Sequence, residues 1–181
     1  MTRFIILARG LNVGGKNPVP MARWRASLES MGYTDVVTYI ASGNVLLEST
    51  ESAARVKERV DEGLAAEFGI DDENVKVLVL RRTQLKGVIE NKPAGFGEEP
   101  TLYHSDAIFL MGIAVADALP AFNPREGVDR VWPGKGVIYS RRLSAERTKS
   151  RLSTIVASPL YRSMTIRSWS TTQKLWELAR A

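Results

Sequence analysis

The chain has no cysteine, a single histidine and no apolar run of membrane length. Each absence removes a class of chemistry. Without cysteine there is no disulfide framework, no thiolate zinc site and no thiol nucleophile. With His104 as the only histidine, a metal held by several imidazoles is impossible. A Ser-His-Asp site would have to use this one residue, and no Gly-x-Ser-x-Gly turn accompanies it. The plain reading of His104 is a loop or strand-edge residue just before Ser105-Asp106, with no partner signal. Carboxylates at a diagnostic spacing are missing too, since Asp35, Asp106 and Asp129 are scattered. No metal and no cofactor is expected. A membrane span needs about 20 consecutive apolar residues. Residues 4–8 are too short for a secretory core and lack a small-residue cleavage site. A soluble, cytoplasmic protein without a membrane partner is the expectation.

What is present suits a folded chain. With 181 residues and 44% hydrophobic content, it can build one compact core or two small halves. A net charge of +5 favours anionic partners but falls short of a nucleic-acid-binding tail.

Hydrophobic periodicity organises the first half. Phe4–Ala8 is an apolar strand. Pro18 and Pro20 precede a helix whose inner face carries Met21, Trp24, Leu28 and Met31, with Gly32 as its stop. Val36–Ile40 and Val45–Leu47 are two strands around Gly43-Asn44, a two-residue hairpin signal. Ser52 caps a helix bearing Val56, Val60, Leu64 and Phe68, and Gly69 ends it. Val75–Leu80 is the fourth strand. The order is β-α-β-β-α-β, the ferredoxin-like unit.

The order then recurs. A short helix or turn at Thr83–Glu90 leads into a Pro/Gly-rich connector, Lys92 to Pro100. Ala107–Met111 is a strand and Val115–Phe122 is weakly helical. Gly127–Trp132 and Gly136–Tyr139 flank the turn Pro133-Gly134-Lys135. Residues 146–157 tend to helix, and Tyr161–Arg167 is extended. A last helix runs from Thr171 to Arg180, with Ser170 and Gln173 as a capping box and Leu175, Leu178 and Ala179 inward. The expected fold is α+β: two ferredoxin-like repeats packed together plus a C-terminal helix. The expected parts are 1–81, a connector at 82–104, and 105–181.

The residues also carry a resemblance. Arg9-Gly10-Leu11-Asn12-Val13-Gly14-Gly15-Lys16-Asn17, Gly32-Tyr33-Thr34-Asp35-Val36 and Thr38-Tyr39-Ile40-Ala41-Ser42-Gly43-Asn44-Val45 resemble the bacterial family catalogued as domain of unknown function 1697. Thr165-Ile166-Arg167-Ser168-Trp169-Ser170-Thr171 resembles its closing motif, with Ser168 and Ser170 where the family has asparagines. The resemblance implies two ferredoxin-like repeats and supplies no function.

Two segments are candidates for binding a small anionic ligand. The first is the glycine-rich loop after strand one, with Arg9, Asn12, Gly14, Gly15 and Lys16. Gly10-x4-Gly15-Lys16-Asn17 nearly fits a P-loop. However, Asn17 cannot supply the hydroxyl that holds Mg²⁺, Pro18 and Pro20 displace the helix start, and Val75–Leu80 ends in Arg81-Arg82 rather than an acid. A looser anion cradle competes with a plain turn in which the glycines supply only φ > 0. Asn12 is suited to ordering the loop through side-chain to backbone bonds, and Lys16 to contacting the anion. The second segment holds Arg167 and Trp169 before a helix start. The hairpin at Ser42-Gly43-Asn44 is expected at the opposite end of the sheet from the loop. Nucleic acid is the alternative partner, through Arg141, Arg142, Arg147, Lys149 and Arg151, where five cations accompany one acid, Glu146. The shortage of aromatics in Phe4–Ala8 and Val45–Leu47 argues against base stacking there. A protein-interaction or structural role through a strand edge or the last helix is the third reading. Oligomeric state is not legible.

Overall fold

The computed structural model describes every residue, Met1–Ala181, and divides into two compact units. One is Met1–Lys86 with Leu175–Ala181; the other is Gly87–Lys174. No helix is long and apolar enough to cross a membrane.

In the first unit, β1 (Thr2–Arg9) is an inner strand of a four-stranded sheet ordered β2-β3-β1-β4. It pairs antiparallel with β3 (Asn44–Ser49) and with β4 (Lys76–Arg81). β2 (Thr34–Tyr39) lies at the edge beyond β3. Phe4, Ile6 and Ala8 share one face by the two-residue period of a strand. That face packs against Trp24 and Leu28 of α1 (Met21–Ser30) and Val56, Val60 and Leu64 of α2 (Ala53–Phe68). Ile5 and Leu7, on the other face, are equally inaccessible. This explains a strand with no apolar–polar alternation. Ser52 Oγ accepts from Arg55 N and so caps α2, and Gly69 ends the helix at φ +64.

The second unit repeats the order. α3 (Arg82–Glu90) leads towards β5 (Tyr103–Leu110), which pairs antiparallel with β7 (Val137–Leu143) and β8 (Met164–Ser168). β6 (Asp129–Pro133) takes the edge, giving β6-β7-β5-β8. Ile108, Leu110, Ile138 and Met164 form its core with Ala118, Phe122, Leu152 and Ile155. The fold is α+β, two four-stranded antiparallel sheets of ferredoxin-like order with a C-terminal helix, α5 (Trp169–Arg180).

Several local expectations are corrected. α4 covers only Val115–Ala118 and passes into a 3-10 turn at Leu119–Ala121. Residues 146–157 do not form an α-helix. The chain from β7 to β8 is three 3-10 segments, Ser144–Lys149, Leu152–Ala157 and Pro159–Ser163. Leu152 and Ile155 are buried from it while most of its other residues are exposed, so apolar contacts come too sparsely for a continuous helical stripe. Residues 161–163 are therefore not extended, and β8 begins at Met164. β5 begins at Tyr103, ahead of the apolar run. α5 begins two residues before Thr171, and its cap is Ser168, whose Oγ accepts from Thr171 N (3.2 Å), rather than Ser170.

The largest correction concerns the β2–β3 hairpin. β1 and β2 each run antiparallel to β3, so their C-terminal ends lie together. Ala8 N donates to Gly43 O at 2.8 Å, which places the hairpin against the end of β1. Gly43 is needed there twice: its φ is +81, and a Cβ would stand 2.9 Å from Ala8 Cβ. Gly43→Ala should destabilise by about 2–4 kcal/mol in urea unfolding, through left-handed strain plus overpacking. Gly69→Ala, also left-handed but with nothing within 4 Å of a Cβ, should lose only about 1 kcal/mol.

Candidate functional site

The loop after β1 is a small hairpin of its own. Asn12 N donates to Asn17 O at 3.1 Å, and Lys16 N donates to Val13 O at 2.9 Å. Gly14 and Gly15 form the tip at φ +57 and +76, the signature of a type I′ turn. Two asparagines brace it. Asn12, at φ +55, donates through Nδ2 to Val19 O (3.0 Å) and Ala41 O (2.8 Å), and its Oδ1 accepts from Val19 N (2.7 Å). One amide thus ties the loop to the start of α1 and to the β2–β3 hairpin. Asn17, at φ +49, donates to Gly10 O (3.2 Å) and Asp72 Oδ2 (3.0 Å).

The loop does not wrap a phosphate as a P-loop does. It closes on itself, and α1 starts only at Met21, behind Pro18 and Pro20. What it exposes is Gly14, Gly15, the Lys16 side chain and Val13, which is 63% exposed. Arg9 Nη1 donates to Asn74 O at 2.8 Å. Asp72 stands near Lys16. Bonds from Asn17 and Asn74 hold its carboxyl below the usual range, and the charge of Lys16 adds to that.

Sequence reasoning missed Ile40 at the same end. It is 50% exposed and sits at φ +48. A β-branched residue in left-handed conformation is strained. No sequence signal marks such strain, because it follows from where the neighbouring strands hold the chain.

The other candidate residues are in the second unit. Arg167 is on β8 and only 8% exposed; its Nη1 donates to Thr165 Oγ1 and Ile166 O, both at 2.9 Å. Burial pushes its guanidinium down to about 10. Trp169 is 5% exposed and packs edge-on to Phe96, with ring centroids 4.9 Å apart. The basic segment divides. Arg141 and Arg142 are adjacent on β7 and so point to opposite faces of the sheet. Arg141 lies over the Tyr103 ring at 3.9 Å and donates to Gly95 O. Lys149 pairs with Glu146 at 2.7 Å, while Arg147 and Arg151 are exposed. His104 also departs from its plain reading. It lies within β5, and its Nε2 meets the Asp106 carboxylate.

The model of a family described as "Protein of unknown function (DUF1697)" matches residues 1–139. The chain belongs to this family. The matched part holds the whole asparagine-braced loop and ends in β7, before the Thr165–Thr171 segment. Among solved structures, the chain is similar to the conserved bacterial protein SP0830 from Streptococcus pneumoniae, at 28% identity and a TM-score of 0.84 over 98% of each chain. No curated protein matches it.

The bracing role of Asn12 is directly testable. Asn12→Ala strands the Val19 N–H and two carbonyls, and should reduce stability by about 1–3 kcal/mol. Hydrogen exchange at Val19 should accelerate with it, read by amide NMR.

Proposed function

We propose that this DUF1697 protein binds a small phosphate-containing ligand at the end of the first sheet, with Lys16 and the Gly14-Gly15 turn on the anion and Arg9 adding charge. Val13 and Ile40 take the ligand's less polar part. The observation that carries this reading is Ile40. Turn chemistry accounts for the glycines and asparagines of the loop, but nothing local rewards an exposed, β-branched residue for a left-handed backbone. Strain of that kind persists where the surroundings impose it, and it concentrates at functional sites. The Asn12 amide supplies the imposition by holding the Ala41 carbonyl next to Ile40. Lys16 then selects the sign of the ligand: its side chain is exposed at the tip of a braced turn.

Thermal shift against nucleotides and phosphorylated metabolites tests the proposal. A ligand should raise the melting temperature in the wild type, and Lys16→Ala should weaken its binding about tenfold. The affinity should fall with added salt, since the site is exposed. Ile40→Asn, which suits the left-handed conformation, should raise stability by up to about 1 kcal/mol while weakening the ligand. No shift with any compound, or an equal shift in Lys16→Ala, overturns the assignment.

A further inference from the structure

The strand ladder places Tyr103, Arg141, Arg130 and Trp132 on one face of the second sheet. Arg141 is the register partner of both Ser105 and Arg130, and Trp132 is that of Tyr139. Residues two apart on a strand share a face, so Tyr103 joins Ser105 and Trp132 joins Arg130. His104, Asp106 and Arg142 belong to the opposite face. The four side chains alternate ring and cation. The Arg141 guanidinium lies 3.9 Å from the centre of the Tyr103 ring and 5.5 Å from that of Trp132. Arg130 lies over Trp132 at 4.7 Å. The inner part of this face is closed: Tyr139 is buried, and Phe96 meets both Tyr139 and Trp132 edge-on. The outer part is open, with Tyr103, Trp132 and Arg141 half-buried and Arg130 exposed.

Like charges directly opposite on neighbouring strands destabilise a sheet. A carboxylate partner relieves such repulsion, and Arg23, Arg25, Arg55 and Arg59 each have one. Arg130 and Arg141, opposite each other, have none. Arg141 donates to the Gly95 carbonyl, which carries no net charge, and Arg130 rests on the Trp132 ring. A ring attracts a cation through its quadrupole but does not neutralise it. A guanidinium against a ring keeps N–H groups at its edge, and that planar fork matches phosphate oxygens.

We infer that this face binds single-stranded nucleic acid, with successive phosphates on Arg130 and Arg141 and bases against the exposed parts of Trp132 and Tyr103. Phosphates supply the missing negative charge. Unpaired bases supply flat apolar faces for rings and guanidinium planes, faces that a duplex keeps stacked inside itself. An acidic peptide would match the charge and leave the rings unused. The first sheet has no counterpart, since Phe4 is the one aromatic of Phe4–Ala8 and Val45–Leu47, and it is buried. The inference does not rest on the reading given for Lys16.

The test is fluorescence anisotropy of a labelled oligouridylate with the full chain, repeated with a duplex of equal length and with polyglutamate. The single strand should bind most tightly. Its log affinity should fall with log salt at a slope of about −1.4, the value for two phosphates on a single strand. Arg130→Ala, at an exposed position, should weaken binding about tenfold and halve that slope. Arg130→Lys should keep the slope and lose about threefold in affinity, because an ammonium does not stack as a guanidinium does. Binding should also quench tryptophan emission, and Trp132→Phe, which keeps a ring beside Phe96, should remove the quench. Arg82→Ala, an exposed cation of the first unit, should leave binding unchanged. Each of the following would overturn the inference: no binding of the single strand, equal affinity for the duplex or for polyglutamate, an affinity that salt does not change, full binding by Arg130→Ala, an equal loss in Arg82→Ala, or a quench that survives Trp132→Phe.

Discussion

The inner strand flanked on both sides is the constraint on which each sheet depends. β1 must satisfy its backbone through β3 and β4 while neither face reaches water, and so Phe4 to Ala8 carries no polar side chain. Once β1 is set, the antiparallel ladder decides what meets at each end. Its C-terminal end receives the glycine-rich loop and the β2–β3 hairpin together, and Asn12 ties them through one amide. The braced loop is thus a consequence of strand order rather than a motif standing on its own.

β5 occupies the equivalent place in the second sheet under a looser rule. Its second half, Ala107–Leu110, is buried, while Tyr103–Asp106 is only half-buried. A polar pair can survive on an inner strand only if its groups find partners. His104 and Asp106 do so with each other. Burial pushes the Asp106 carboxyl above its usual range, against the attraction of His104 and Arg142. The pair therefore sits where the sheet gives up apolar packing and leaves the core of Ala107–Leu110 intact.

Much of this was legible from the chain alone. The Ser52 cap and the Gly69 stop each have a local cause, and the structure has them where cap chemistry puts them, whereas the β2–β3 turn takes residues 40–43 and leaves Asn44 paired with Tyr39 inside the ladder. The illegible parts have non-local causes. The segment between β7 and β8 contains residues that tolerate helix, but only sparse burial anchors it, and 3-10 turns result. The position of the β2–β3 hairpin required tracing strand direction through the ladder. His104 has no partner signal while the strand is taken to begin at the apolar run, Ala107–Met111. Extending the strand by four residues puts Asp106 on the same face, so a His-x-Asp spacing was the signal available.

The loop after β1 and the His104–Asp106 pair differ in physical type. At the loop, the backbone is over-determined and the side chains at the tip are exposed, so the recognition proposed there rests on a rigid shape with one exposed ammonium. Water screens such a charge, which limits what Lys16 contributes alone and makes the shape of the turn the larger part of any selectivity. At His104 and Asp106, the polar groups are oriented by one another and partly withdrawn from water, where each hydrogen bond is worth more and a missing partner costs more. Trp169 bears such a cost elsewhere in the same unit: its buried indole N–H has no acceptor and lies against Gly97, where the packing with Phe96 and Tyr139 holds the ring.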